Sequence, residues 1–140
     1  MIPSAGCGGF LTDASGKWIC GFALKLDSNL KLDEIEKEAI LSGLRWVNKK
    51  GKKKVTVKSD RLEAVNSVKY GRGSNDSRIC EIRDLLNSRH WKASLTWIPG
   101  DGNKLADKLA DEAHKLDNDL YEEFDDPPKN CVSLLLKQLK

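Results

Sequence analysis

Residues Lys54-Val55-Thr56-Val57-Lys58 alternate polar and apolar side chains. That is the period-two signature of a strand with one buried face. The flanking segments carry helical periodicity instead. Leu32 to Asn48 sets Ile35, Ile40, Leu44 and Val47 along one side, and Gly51 ends the run. Asp60 to Lys69 is a short helix whose opening, Asp60-Arg61-Leu62-Glu63, has the form of a capping box. A strand followed by helix crossovers implies a mixed sheet with helices on its faces.

The rest of the chain fits that scheme. Gly8 to Leu26 reads as a hairpin, with strands at Gly9–Thr12 and Trp18–Lys25 joined by the turn residues Asp13-Ala14-Ser15-Gly16. Asp76 to Ser88 is a helix with Ile79, Ile82, Leu85 and Leu86 inward, and Trp91 to Ile98 is a strand. Pro99-Gly100-Asp101-Gly102 is a loop, after which Asn103 caps a helix to about Leu116. The expected order is β-β-α-β-α-α-β-α. Residues 5–117 are expected to form the domain, and residues 118–140 an acidic tail holding Pro127-Pro128 and a short apolar run from Val132 to Leu136. In sheets of this kind the C-terminal strand ends and the following helix starts host function.

Composition excludes several classes. The 140 residues suit one domain, and 39% hydrophobic with 32% charged residues is too apolar for a disordered chain. No apolar run approaches the ~18 residues of a membrane span. Met1-Ile2-Pro3-Ser4 lacks the basic start and apolar stretch of a signal peptide. Cys7, Cys20, Cys80 and Cys131 form no CxxC pair, so a zinc knuckle is not expected. Reduced thiols and a nuclear or cytoplasmic location are the expectation. The net charge of +3 hides two blocks. Residues 45–72 hold ten Lys/Arg against Asp60 and Glu63, and residues 111–126 hold eight Asp/Glu against Lys115. The basic block centres on Lys49-Lys50-Gly51-Lys52-Lys53-Lys54, which reads either as phosphate contacts, with Lys52, Lys53 and Lys54 the candidates, or as a solvated loop after a helix.

Three acids stand in suggestive places. Glu36 lies one turn before Ile40 on the same side of its helix, Asp60 ends a strand, and Asp107 lies in the second turn of the last expected helix. Converging at one sheet edge, they would suit a hard cation such as Mg²⁺, and two such ions ~3.5–4 Å apart clamp both oxygens of a phosphodiester. Each acid also has a plainer reading: a surface charge for Glu36, a helix cap for Asp60, a complement to the helix dipole for Asp107.

The joint pattern narrows these alternatives. Ala5 to Trp18, AGCGGFLTDASGKW, resembles the second-to-third-strand hairpin of plant ribonuclease H-like domains, of the kind found at the ends of non-LTR retroelement polyproteins and in derived host genes. Asp33 to Leu44, DEIEKEAILSGL, looks like that family's first helix; Val55 to Val65, VTVKSDRLEAV, its strand-end aspartate motif; Asn103 to Ala110, NKLADKLA, its final-helix motif. The tail, Asp125-Asp126-Pro127-Pro128 and then Val132 to Leu136, also looks like the family's ending. The resemblance implies a ribonuclease H-like α/β fold. It implies a site in which Glu36, Asp60 and Asp107 hold two Mg²⁺ ions while water cuts the RNA strand of an RNA–DNA hybrid. Hybrids are read through their geometry and 2′-hydroxyls more than through sequence.

The match has departures. The family's first strand, the middle of its sheet, carries an Asp-Gly pair whose Asp bridges both ions; here only Met1 to Ser4 precede the hairpin, without an acid. The expectation is therefore an N-terminally truncated copy, or one whose start was assigned downstream, lacking the central strand and weak or inactive as a nuclease; a strand supplied by a partner is the other alternative. The edges beside the gap would have to expose backbone groups or meet each other. Asp13 does not substitute, because it belongs to the hairpin turn. Trp97 and Gly100 stand where the family often has His and Arg, and His90 and His114 read as surface residues. A non-catalytic nucleic-acid-binding module and an inactive retroelement-derived fragment are the alternatives.

Overall fold

In a computed structural model, which describes residues 5–26, 29–71, 76–99, 121–125 and 134–138, the glycine-rich segment forms the expected hairpin. Strand β1 (Ala5–Thr12) runs antiparallel to β2 (Trp18–Leu26), with Cys7 opposite Leu24, Gly9 opposite Phe22 and Leu11 opposite Cys20. Asp13 makes the turn between them. Its Oδ1 accepts from the Ser15 and Lys17 backbone N–H groups at 2.9 and 3.0 Å, while Gly16 takes a φ of 92°. Gly21 is required by contact: a Cβ there would lie 2.5 Å from the Trp18 indole, which stacks on Phe10.

Helix α1 (Leu32–Lys49) lays Ile40, Leu44 and Val47, all fully buried, over the face of the sheet that carries Cys7, Leu11 and Phe22. Ile35 is only partly buried. Strand β3 (Lys54–Ser59) buries Val55 and Val57 under the same helix layer. It pairs in parallel with β4 (Lys92–Trp97), which buries Leu95. The opposite faces of both strands carry Lys54, Thr56, Lys58, Lys92, Ser94 and Thr96.

Between β3 and β4 run α2 (Leu62–Tyr70) and α3 (Ser77–Leu86). The Asp76 side chain caps α3, accepting from the Arg78 N–H at 2.9 Å, and also holds Lys37 of α1 at 2.8 Å. Arg83 ties α3 to the end of α2, donating from Nε to the Val68 carbonyl at 2.9 Å and from Nη2 to the Ser67 and Gly71 carbonyls. No helix among the described residues is long and apolar enough to cross a membrane.

The mixed α/β class is the one expected, but the sheet contains strands that local patterning did not reveal. The segment expected as a tail supplies β5 (Tyr121–Phe124), on the outer edge of β2, and β6 (Leu134–Gln138). The six-stranded order is β4-β3-β6-β1-β2-β5. Strand β6 stands between β1 and β3, parallel to the first and antiparallel to the second. The central gap expected between these strands is thus closed from the C-terminal side, because two facing strand edges present unpaired backbone groups that a third strand satisfies. The final expected helix, with Asn103, Asp107 and His114, lies outside the described residues.

Edge strand β5 is pinned by one carboxylate. Glu123 Oε1 accepts from Trp46 Nε1 at 2.8 Å and from the Tyr121 hydroxyl at 2.9 Å, and pairs with Lys50 Nζ at 2.6 Å. The Lys50 ammonium, the Trp46 indole and the Tyr121 hydroxyl hold the Glu123 carboxyl below its ordinary value of 4.5, against the opposing effect of burial. A depressed carboxylate contributes stability above its unfolded pKa and loses it as pH falls through the folded one. Glu123→Gln should lower stability at neutral pH by about 1–2 kcal/mol. Melting from pH 7 downward should show the gap to the wild type narrowing below the ordinary carboxylate value.

Leu136 is in register with both Leu11 and Val57. Leu136→Pro removes its backbone donor in mid-sheet, which costs about 3 kcal/mol or more. Cooperative melting followed by circular dichroism should be lost or shifted far down; an unchanged transition would show that β6 is dispensable.

Candidate catalytic and metal-binding site

Asp60 follows the last residue of β3, where the strand leaves the sheet and α2 is about to begin. The expected capping box is not formed. The helix starts one residue later than the pattern implies, with Arg61 at the cap position and no side chain capping it. The Arg61 N–H, just ahead of the helix, goes to the Ser59 hydroxyl at 3.1 Å. Asp60 is thereby released from the local role that would explain it most simply.

The Asp60 side chain is only 10% exposed, and its buried Oδ1 accepts no hydrogen bond. A buried carboxylate oxygen without a donor is costly, so one near a cluster of charge calls for a partner. The nearest cation is the neighbouring Arg61, whose Nε lies 3.4 Å from that oxygen, within ion-pair range but not placed as a donor. The Asp60 carbonyl accepts from the indole Nε1 of Trp97 at 3.2 Å. The Ser59 carbonyl accepts from the Ile98 N–H at 2.9 Å. The end of β4 thus braces the backbone on which Asp60 stands.

Glu36, half-buried in the second turn of α1, belongs to the same electrostatic neighbourhood. Burial raises its carboxyl above the ordinary carboxylate value. The Arg61 guanidinium opposes that shift, while the carboxylates of Glu63, Asp33 and Asp60 reinforce it. The structure therefore brings Glu36 and Asp60 within charge range of one another. Asp107 falls outside the described residues, and among those residues no group of three acids, His or Cys is arranged to hold a metal.

The donor set tests the fit of a divalent ion. Two carboxylates, one with a buried orphan oxygen, suit a hard cation. The central strand adds no oxygen ligand of that kind: β6 reads Leu134-Leu135-Leu136-Lys137-Gln138, and the residue in register with Ser59 is Leu134. A pair of bridged ions is therefore less well provided for than a single one.

Lys52 and Lys53 precede β3 and Lys54 begins it, about 20 Å along the strand from Asp60. Lys54 stands in register beside Lys92. Like charges side by side on a sheet repel, so this arrangement favours an anion nearby. His90 is exposed, with its backbone N–H bonded to the Ser88 hydroxyl. Cys7, by contrast, is sealed in the core, where burial pushes its thiol up to about 12 and removes it as a nucleophile.

Sequence reasoning missed Arg61 and the role of Trp97. The signal for the first was a cation directly after a strand-end acid. Trp97, in sequence a departure from a pattern, is a brace for the Asp60 backbone.

The raised Glu36 carboxyl yields a stability test. A carboxyl raised by folding contributes stability below its unfolded pKa and loses it as pH rises through the folded one. Glu36→Gln should therefore raise the neutral-pH Tm slightly, by less than ~1 kcal/mol in stability because the group is partly exposed. Melting at pH 7 against about pH 4, where the difference should shrink, checks the sign.

A family model described as reverse transcriptase-like matches residues 2–113. Neither a search of curated proteins nor one of solved structures gives a significant match.

Proposed function

Because the chain belongs to the reverse transcriptase-like family and carries a ribonuclease H-like domain, we propose that it binds RNA–DNA hybrids and hydrolyses their RNA strand weakly, with Mg²⁺ held by Glu36, Asp60 and Asp107. The order of its motifs supports a retroelement-derived domain of the plant type, working in the nucleus or cytoplasm. One observation carries the site: the strand-end Asp60, nine-tenths buried, keeps an oxygen without a hydrogen-bond donor beside a second carboxylate.

In this reading Asp60 is the fixed ligand. Its backbone is held by Trp97 and its neighbour Ser59 by Ile98, so the carboxylate is aimed without cost at the moment of reaction. Glu36 is the adjustable one. Its raised carboxyl accepts a proton more readily than an ordinary Glu and is drawn fully ionised by a nearby cation. Mg²⁺ would supply a nucleophilic water and stabilise charge on the leaving oxygen. Lys52 to Lys54 neutralise phosphates of the bound duplex farther along β3. Weak turnover follows from a central strand without a carboxylate, which also supports the second reading, a binding module without catalysis.

Binding and cutting of a labelled hybrid decide between these readings. Affinity should fall with salt, and replacing Lys52, Lys53 and Lys54 together by Gln should flatten the salt dependence by roughly two to three phosphate equivalents. Cleavage in Mg²⁺ or Mn²⁺ should be slow and drop at least ~10-fold in Asp60→Asn. Cleavage unaffected by Asp60→Asn would remove the catalytic site. Absence of binding at low salt would remove the nucleic-acid reading altogether.

A further inference from the structure

The acid pair already has a cation. Arg61 Nε lies 3.4 Å from the buried Oδ1 of Asp60, and it is also the nearby positive charge that acts most strongly on Glu36. The guanidinium compensates the charge of Oδ1 without donating a hydrogen bond to it, so the oxygen is neutralised but not satisfied. The Arg61 backbone serves as the cap position of α2 and takes the Ser59 hydroxyl, which leaves the side chain with no part in the helix start. That side chain is 42% exposed, against 10% for Asp60. The cation therefore stands on the solvent side of the carboxylate it faces.

We propose that the Arg61 guanidinium is a built-in counter-cation of the Asp60 and Glu36 carboxylates and competes with a divalent ion for them. The proposal rests on the reading of these acids as a cation site. A divalent ion approaching Oδ1 must displace the guanidinium or tolerate a like charge beside it. Either course weakens its binding. The side chain can swing away, so the block is graded, set by ionic strength and by whatever anion draws Arg61 off. A phosphate of a bound duplex is such an anion, and bidentate pairing with phosphate is favourable geometry for Arg. Metal and nucleic acid would then bind cooperatively, the polyanion removing the counter-cation that holds the metal out.

Mn²⁺ titration of the full chain, followed by the electron paramagnetic resonance signal of the free ion, tests this without any turnover. Arg61→Gln should bind Mn²⁺ about five- to tenfold more tightly than the wild type, a modest gain because the guanidinium is partly exposed. Arg61→Lys, which keeps the charge, should stay within about twofold of the wild type. Adding Asp60→Asn to Arg61→Gln should abolish the gain and so locate it. Unaltered melting of Arg61→Gln guards against a folding artefact. Equal, measurable affinities in wild type and Arg61→Gln would overturn the counter-cation and leave the metal site standing. Absence of Mn²⁺ binding in every variant would overturn both. A gain that survives Asp60→Asn would place the ion elsewhere and likewise refute the proposal.

Discussion

The continuity of the sheet depends on the double ladder of β6. On one side it closes the edge of the β1–β2 hairpin; on the other it closes the edge of the β3–β4 pair. These two pairs share no direct backbone pairing, and without the strand between them each would present a row of unsatisfied N–H and C=O groups toward the core. Helix α1 packs on β1, β3 and β6 together, so its buried stripe of Ile40, Leu44 and Val47 requires that the sheet beneath it be continuous. The helix layer and the central strand thus depend on each other. The helix cannot bury its apolar side on a split sheet, and the strand gains little unless a helix covers it.

The electrostatics of the molecule follow the axis of β3. At the start of that strand stand Lys52, Lys53 and Lys54 with Lys92 alongside; just past its end stand Asp60 and, from α1, Glu36. A short strand separates a cationic end that suits phosphates from an acidic end that suits a metal. The same strand buries Val55 and Val57, so the spacing between the two ends is held by the core and not by a loop. A polyanion bound along this direction would meet the basic residues and the acid pair in fixed order, with Arg61 beside the acids.

Local patterns made most of these elements legible. The period-two alternation of Lys54–Lys58, the helical stripe of α1 and the turn chemistry at Asp13 all depend on residues near one another in the chain, and the structure contains each of them. What local patterns did not reveal was partner choice. The apolar run from Val132 to Leu136 looked like a short stretch in a tail, because nothing near it marks a strand that finds its neighbours more than 70 residues away. Asp60 shows the converse error. Its spacing to Glu63 satisfies the capping pattern, but the helix starts one residue later without a side-chain cap, and the buried carboxylate oxygen is left without a donor. Arg61 was illegible for a similar reason: a cation beside an acid is common, and its meaning depends on which oxygen is buried.

The position of β6 in the sheet also sets an order of events during synthesis. The hairpin, α1 and the β3–β4 unit leave the ribosome well before residues 134–138, so their facing edges exist for a time without the described strand that joins them. Local helices form early, yet the sheet closes only when the last strand arrives to be inserted at its centre. Until then the nascent chain is an open acceptor for any extended polypeptide, a holdase or another nascent copy included. Emergence of β6 is therefore the step that ends this exposure.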